Sequence, residues 1–432
     1  MSKRAIRVAS LFSGAGGFDA GFHAAGFRTV IANDVRRRAV ETFSRNFGLP
    51  IASVDAPSKN PAVYHGNVKY LDFKALAELA PEVLIGGPPC QDFSMARAMC
   101  RRRPGVETYR GQLYKDFVRA LIVFQPDIFV FENVPGLISA NEGRAFEVII
   151  QDLRSIGGGS VGGYRIVFLE VVRTSDLGVP QARRRLFVLG VKKGWMRRGF
   201  SPDRSEVEMY AKYALSGWGS LLGRYPLTTI ETFEGKPLPD LSREYRRVMA
   251  EWGYGERDIV RDYFAVNGIE PATHDEPDVA FMEHENVLRE LGYLGRPVEG
   301  VRFPDGSNEL PCEKDHVVER VKRIPPGEDH RSLVGTQWAV NIFSGPVYRR
   351  VHPLRPSYTI VAKGGGGTVL YHYDRNRSKM TNREQARLQS FPDDFLFSGG
   401  SGEVRSQIGE AFPPLVAKRI AEVCRVILDG GA

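Results

Sequence analysis

The stretch from Ile6 to Asp34 limits what this chain can become more than any other. An apolar run, Ile6-Arg7-Val8-Ala9-Ser10-Leu11-Phe12, goes straight into Ser13-Gly14-Ala15-Gly16-Gly17-Phe18. A helical stretch to Ala24 follows, then a second apolar run, Thr29 to Asn33, that stops on Asp34. Strand, glycine turn, helix, strand and acid in that order predict a βαβ unit with the turn and the acid on one sheet edge. The glycines let backbone approach a ligand closely, and the helix N-terminus offers N–H groups. A carboxylate at the end of the second strand can accept bonds from ribose hydroxyls. The ligand stays open on this stretch alone: NAD, FAD and S-adenosylmethionine sites share the pattern, and glycine turns also occur with no ligand.

The alternation continues downstream. Val83 to Ile85 reads as a buried strand, stopped by Gly86-Gly87-Pro88-Pro89, which presents Cys90 at its end. Leu113 to Phe124 is predicted helical, and Ile128 to Phe131 is a strand running into Glu132-Asn133-Val134-Pro135-Gly136. A helix over Ala145–Ile156 precedes strands over Tyr164–Val172 and Arg185–Val191. Strands alternating with helices predict an α/β fold, a doubly wound and mostly parallel sheet. Near the end, Pro414 to Leu428 carries Leu415, Ile420, Val423 and Ile427 on one helical face, fit to cover that sheet. From about residue 192 the patterning becomes mixed, with scattered Pro and Gly and many charged and aromatic residues. The expected division is a first domain over 1–191, completed by 403–432, and a second, smaller domain over 192–402. The sequence offers no fold for the latter's 192–345 stretch.

Composition bounds the setting. With 42% hydrophobic and 25% charged residues the chain reads as an ordinary soluble globular protein. No apolar run reaches bilayer length, and the N-terminus lacks the apolar core of a signal peptide, so an intracellular, cytoplasmic location is expected, with no membrane partner. Four cysteines (Cys90, Cys100, Cys312 and Cys424) without a CxxC pair form neither a disulfide framework nor a structural zinc site, and no metal is expected. A net charge of +8 suits a polyanionic partner, although a basic but ordinary enzyme looks the same.

Several strand ends now carry chemistry together. They are the glycine turn with Asp34, Cys90 on its proline turn, Glu132, and the stretch Gly178-Val179-Pro180-Gln181-Ala182-Arg183-Arg184-Arg185. A spacing of two puts Gln181, Arg183 and Arg185 on one side of an extended chain. Each has a bland reading: a buried structural cysteine, a capping glutamate, a solvated arginine face. Jointly, a thiolate, a carboxylate and paired guanidinium groups beside a nucleotide-like site point to covalent catalysis on an electrophilic ring.

At this point the chain resembles the DNA cytosine-5 methyltransferases. The resemblance covers about residues 6–191 and 345–428, in the family's order. It rests on Phe12 to Phe18, on Gly86-Gly87-Pro88-Pro89-Cys90-Gln91-Asp92-Phe93-Ser94, on Arg110-Gly111-Gln112-Leu113 and on Phe131-Glu132-Asn133-Val134-Pro135-Gly136. It continues with Gly178 to Arg185, Arg355-Pro356-Ser357-Tyr358-Thr359-Ile360, Arg383 to Pro392 and Gln407 to Pro414. The Pro-Pro-Cys-Gln and Glu-Asn-Val stretches at this spacing are highly specific.

The resemblance implies a Rossmann-like sheet with a target-recognition domain over 192–402. It implies S-adenosylmethionine as cofactor and duplex DNA as substrate. Cys90 would add to C6 of a flipped cytosine, Glu132 would hold N3, Arg185 would hold O2 and support Glu132, and Arg183 would sit near the thiolate. Phe12, Gly14, Gly16, Gly17, Asp34, Val35, Asn67, Val68, Pro88, Leu113, Glu410 and Phe412 would line the cofactor. Gln91, Ser94, Arg97, Gln181 and Lys363 would meet nucleic acid, and Asp92–Arg110 would form a closing loop. The chain departs from the family at Asp34-Val35, where Glu and a large aromatic are common, and at Asn67, where Asp is common. Gly409-Glu410 stands for Gly-Asn, and Tyr358 for a proline. A monomer acting on DNA in the nucleoid is expected, with a cognate restriction endonuclease that forms no stable complex with it. Competing readings are a tRNA cytosine-5 methyltransferase, a catalytically inactive DNA-binding relative, and an NAD-dependent oxidoreductase. The first conflicts with the long 192–350 interval, the second with the retained Cys90, Glu132, Arg183 and Arg185. The third leaves Cys90 and Glu132 unexplained.

Overall fold

Val8, Ala9, Ile31, Ala32, Val83, Leu84, Ile128 and Phe129 are all excluded from solvent. Near-continuous apolar runs of this kind need cover on both faces, which an all-parallel sheet with flanking helices provides. The computed structural model describes residues 5–89, 113–156, 163–194, 205–340, 345–362 and 369–430. Among them, eight strands form one sheet: β1 (Ile6–Leu11), β2 (Phe27–Asp34), β3 (Ile51–Ser53), β4 (Ala62–His65), β5 (Val83–Gly86), β6 (Ile128–Asn133), β7 (Tyr164–Arg173) and β8 (Arg184–Lys192). Their order is β3-β4-β2-β1-β5-β6-β8-β7. The six strands from β3 to β6 run parallel, and β8 joins β6 and β7 antiparallel. The α/β, mostly parallel sheet read from the sequence is therefore present.

Strand register fixes which residues share an edge. Leu11 lies level with Asn33 on one side and Gly86 on the other, and Gly86 is level with Phe131. The residues that come next, Phe12, Asp34, Gly87 and Glu132, therefore line up along one edge of the sheet. The chain leaves β1 to β2 on one side and crosses back from β4 to β5 on the other. Ligands of open α/β sheets bind at that reversal, beyond the carboxyl ends of the strands.

Five helices belong with the sheet: α1 (Gly17–Ala24), α2 (Arg37–Phe47), α3 (Tyr114–Phe124), α4 (Arg144–Ser155) and α5 (Ser205–Leu215). One apolar core joins strands and helices through Leu84, Phe117, Leu121, Phe129, Ile149 and Leu153. The chain divides into two compact units. The first comprises 1–173, 184–218 and 416–432; the second comprises 174–183 and 219–415. These points differ from the expected 191/192 and 402/403 divisions. The 205–215 helix stays with the sheet because Glu208 pairs with Arg165 at 2.6 Å and Lys212 with Glu170 at 3.4 Å, both partners on β7.

The second unit contains α6 (Thr229–Glu234), α7 (Ser242–Glu251), α8 (Ile259–Asn267), α9 (Glu276–Glu290), α10 (Asp315–Val321), α11 (Asn382–Leu388) and α12 (Ser401–Glu410). Helices α6 and α11 each start on a reciprocal cap, Thr228 with Glu231 and Thr381 with Glu384. Its described residues hold no strand, only isolated bridges such as Arg350 with Tyr371. A last helix, α13 (Pro414–Asp429), packs on the first unit from Val416 onward, and Arg425 donates to the Ala25 carbonyl at the end of α1.

Candidate active site

The glycine turn takes its shape from backbone that only some residues adopt. Phe12 leaves β1 at φ 56°, and Gly14 and Gly16 follow at 56° and 96°. A positive φ is easy for glycine and uncommon for phenylalanine, which marks the turn as held by its surroundings. A Cβ on Gly16 would lie 2.4 Å from the Phe47 ring, so this position also needs glycine for packing. No side chain caps α1, which leaves the N–H end of the helix facing the sheet edge.

Asp34 organises the turn from β2. Its carboxylate accepts from Gly14 N–H at 2.9 Å and from Arg36 N–H at 2.8 Å. A carboxylate has about four acceptor directions, so two bonds leave capacity for a ligand. Val35 beside it is 63% exposed, an open apolar surface. Asn67 and Val68 lie beyond β4. Asn67 caps its own turn by accepting from Lys69 N–H at 3.1 Å, and Asn33 holds the turn's start through the Tyr64 and Gly66 carbonyls.

Behind this turn sits a residue that sequence reasoning missed. Asp19, in the first turn of α1, has no solvent exposure and accepts from Ser10 on β1 at 2.8 Å and from Thr29 on β2 at 2.7 Å. Burial pushes its carboxyl up to about 6, against the two hydroxyl bonds. An acid in the otherwise apolar run Gly17-Phe18-Asp19-Ala20-Gly21-Phe22 was the available signal.

At the next strand ends, the Arg185 guanidinium meets Glu132 at 2.8 Å, both side chains largely buried. Gly87 passes so close to this carboxylate that a Cβ there would stand 2.5 Å from Glu132 Oε2. Asn133, also missed, donates to the Pro88 carbonyl at 3.4 Å and ties β6 to the proline turn. Pro88 is buried, and Pro89 is the last described residue before Cys90. Phe12 and Leu113 are half-buried against the core of the sheet.

Cys90, Gln91, Ser94, Arg97 and Lys363, with the expected closing loop Asp92–Arg110, lie outside the described residues. The remaining expected residues belong to the second unit. There, over 181–183, the extended chain expected for 181–185 gives way to tight turns: Gln181 N–H bonds to the Val179 carbonyl and Arg183 N–H to the Gln181 carbonyl. Bonds of this span close three-residue turns. Gln181 is wholly buried; its amide reaches Gln389 and the Leu388 carbonyl and accepts from Ile360 N–H. These bonds engage both ends of its amide within the second unit. Arg183 is also buried and donates to the Ile360 and Gly409 carbonyls. Only Arg185 of the three is on β8. Glu410 is exposed and Phe412 is buried at the end of α12. Tyr358, which stands for a proline, has a use of its own, donating to the Gly327 carbonyl at 2.6 Å.

Comparison with known proteins shows the family of the chain. The family described as C-5 cytosine-specific DNA methylase matches residues 6–425. The chain belongs to that family. This methyltransferase is 47% identical to the DNA (cytosine-5-)-methyltransferase M.ApeKI of Aeropyrum pernix, over 97% of the chain and 98% of that relative. It is 33% identical to the type II methyltransferase M.NgoFVII of Neisseria gonorrhoeae, over 98% of the chain and 86% of the relative. A solved structure, described as a candidate DNA modification methyltransferase encoded within an Escherichia coli prophage, superposes with a TM-score of 0.58. It is 21% identical and covers 98% of this methyltransferase and 100% of its own chain, a likeness of fold. Among the described residues no cluster of His, Cys, Asp and Glu is built to hold a metal, and no helix is long and apolar enough to cross a membrane.

Proposed function

We propose that this DNA (cytosine-5-)-methyltransferase transfers a methyl group from S-adenosylmethionine to C5 of a cytosine flipped out of duplex DNA, through a covalent bond between Cys90 and C6. The observation that carries the reading is the Arg185–Glu132 pair at 2.8 Å, with the turn that leads to Cys90 packed against the same carboxylate. The residues at the β1, β2 and β4 ends fit the cofactor. Backbone at Gly14 to Gly17 can approach its amino-acid end, Asp34 has acceptor capacity for ribose hydroxyls, and Val35, Asn67 and Val68 border a place for the adenine. When bound, the cofactor supplies an electrophilic methyl group.

The protein's own groups do the rest. Cytosine C5 is a poor nucleophile, and addition of the Cys90 thiolate to C6 makes it enamine-like. The new C6–S bond sends electron density toward N3, where Glu132 donates a proton so that charge does not accumulate on the ring. Arg185 holds the Glu132 side chain toward the base; without it, that largely buried side chain would be free to rotate away. After C5 is methylated, its proton passes to water, the Cys90 thiolate is expelled and the N3 proton returns to Glu132, which restores the aromatic ring. The target atom is unreachable inside a stacked duplex, so the base must leave the stack first. The second unit is assigned the reading of sequence around that base. Relatives named as type II methyltransferases favour a role in restriction–modification, with a cognate endonuclease acting separately.

Purified protein given duplex DNA and methyl-labelled S-adenosylmethionine should place label on cytosine C5 at one sequence context, read by base-resolution mapping. Preference for tRNA over duplex DNA would overturn the reading. Cys90→Ser should lower methyl transfer by at least about a thousand-fold while DNA binding persists in a gel-shift assay. Full activity in that variant would remove the covalent step.

A further inference from the structure

The turn that carries Asn67 and Val68 is held from an unexpected side. Arg119, on α3, donates from Nη2 to the Val68 carbonyl at 2.7 Å and from Nη1 to the Leu71 carbonyl at 3.1 Å. Its guanidinium also meets Asp116 at 3.1 Å, one turn earlier on the same helix, and lies 4.5 Å from the centre of the Phe73 ring. One planar fork thus joins the first carbonyl of a short helical turn, Val68–Tyr70, and that of Leu71, which follows the turn, to a helix that starts at Tyr114. The opposite end of the turn is fixed separately, by Asn33 and by the bond from Gly66 N–H to the Asp34 carbonyl. Nothing in the methyl-transfer scheme uses Arg119, and its partners among the described residues are Val68, Leu71 and Asp116 rather than Glu132 or Arg185.

We propose that Arg119 is a positioning residue for the cofactor pocket, which sets the Asn67–Val68 edge against α3. The inference rests on the reading of that edge as the adenine border. Two carbonyls accepting from one rigid fork cannot shift independently, so the height of the Val68 backbone above the strand ends is set by where α3 lies. A lysine places one point charge and cannot span both carbonyls in this way. Helix α3 is also the first described element after the segment that carries Cys90. Arg119 therefore ties the pocket for the methyl donor to the helix on which the nucleophile's segment ends.

The test is cofactor affinity measured apart from turnover. Arg119→Met should raise both the Kd for S-adenosylmethionine, measured without DNA, and its KM by about ten-fold, the scale of losing a charge-assisted bond. The kcat should stay within about two-fold of the native value, since neither Glu132 nor Arg185 is among its partners. Arg119→Lys should fall between the two and decides the matter if Arg119→Met does not fold. Asp116→Asn, which keeps the fork on both carbonyls, should bind cofactor as the native protein does. Equal cofactor affinity in native protein and both Arg119 variants overturns the inference, as does a loss of kcat at unchanged KM. Failure of the native protein to bind S-adenosylmethionine overturns the cofactor reading itself, and this inference with it.

Discussion

The two compact units of this chain solve the problem of burial in opposite ways. In the first, sheet and helices share an apolar core built from residues such as Leu84, Phe117 and Leu153, and the polar groups sit at strand ends. Asp19 is its one fully buried carboxyl among the described residues. In the second, the largest fully buried side chains are Arg350, Arg383 and Arg387. Arg350 donates to the Ile324, Asp374 and Val321 carbonyls, and burial pulls its guanidinium down to about 9. Arg383 pairs with Asp305 at 3.0 Å with neither side chain exposed, and Arg387 pairs with Asp393. Without strands among its described residues, this unit shows few ladders to satisfy its backbone, and long guanidinium forks reach the carbonyls of irregular segments instead. A unit held by directional bonds has one arrangement in which all are made.

The largest effect expected from this contrast is at Arg383. Arg383→Met adds apolar surface yet leaves Asp305 buried without its partner, and should cost about 3–5 kcal/mol in denaturant unfolding. A neutral result would show that apolar packing holds the second unit as it does the first. Next in size is Asp19. Its folded pKa of about 6 lies above the ordinary 3.8, so the folded state binds the extra proton and stability falls as pH rises from about 4 to 6. Two pKa units correspond to about 3 kcal/mol. Asp19→Asn should flatten the pH dependence in that window, and a variant that keeps the native slope would remove Asp19 as its source.

The smallest effect is expected at His284, also wholly buried. Its ring nitrogens face the Glu231 carboxylate and the Tyr225 carbonyl, each at 2.9 Å. Two acceptors require both nitrogens to donate, which is the charged ring. Burial opposes that charge, but the Glu231 carboxylate and both hydrogen bonds hold the pKa above its ordinary value. A raised pKa gives stability that is complete below about 6.5 and lost as pH rises through the folded value. His284→Gln should flatten stability above that pH and leave the window below 6 unchanged. If instead it altered only the acid window, the two units could not be titrated apart.

Much of the sheet was legible because periodicity is local. The apolar runs at 6–12, 83–85, 128–131 and 185–191 each became a strand, within a residue or two at most ends. The glycine turn, the proline turn and Glu132 also stood out as breaks in apolar patterning. The run from Gln181 to Arg185 was misjudged for the same reason: alternation predicts an extended chain, but Pro180 and two tight turns intervene. Asp19 and Arg119 passed unnoticed, since each looks like an ordinary polar residue on an amphipathic helix. Their partners lie 10 and 51 residues away, at Thr29 and Val68.

By itself, then, the sequence determined the order of strands and helices and which residue types end each strand, since both follow from spacing along the chain. Its resemblance to a family supplied the chemistry those residues serve. Only the tertiary structure decided that Phe12, Asp34, Gly87 and Glu132 are level, because register is set by pairing between strands far apart in sequence. It also decided which polar groups turn inward. A buried carboxylate or guanidinium is tolerated only where donors and acceptors from other elements converge on it, and no local pattern records that convergence.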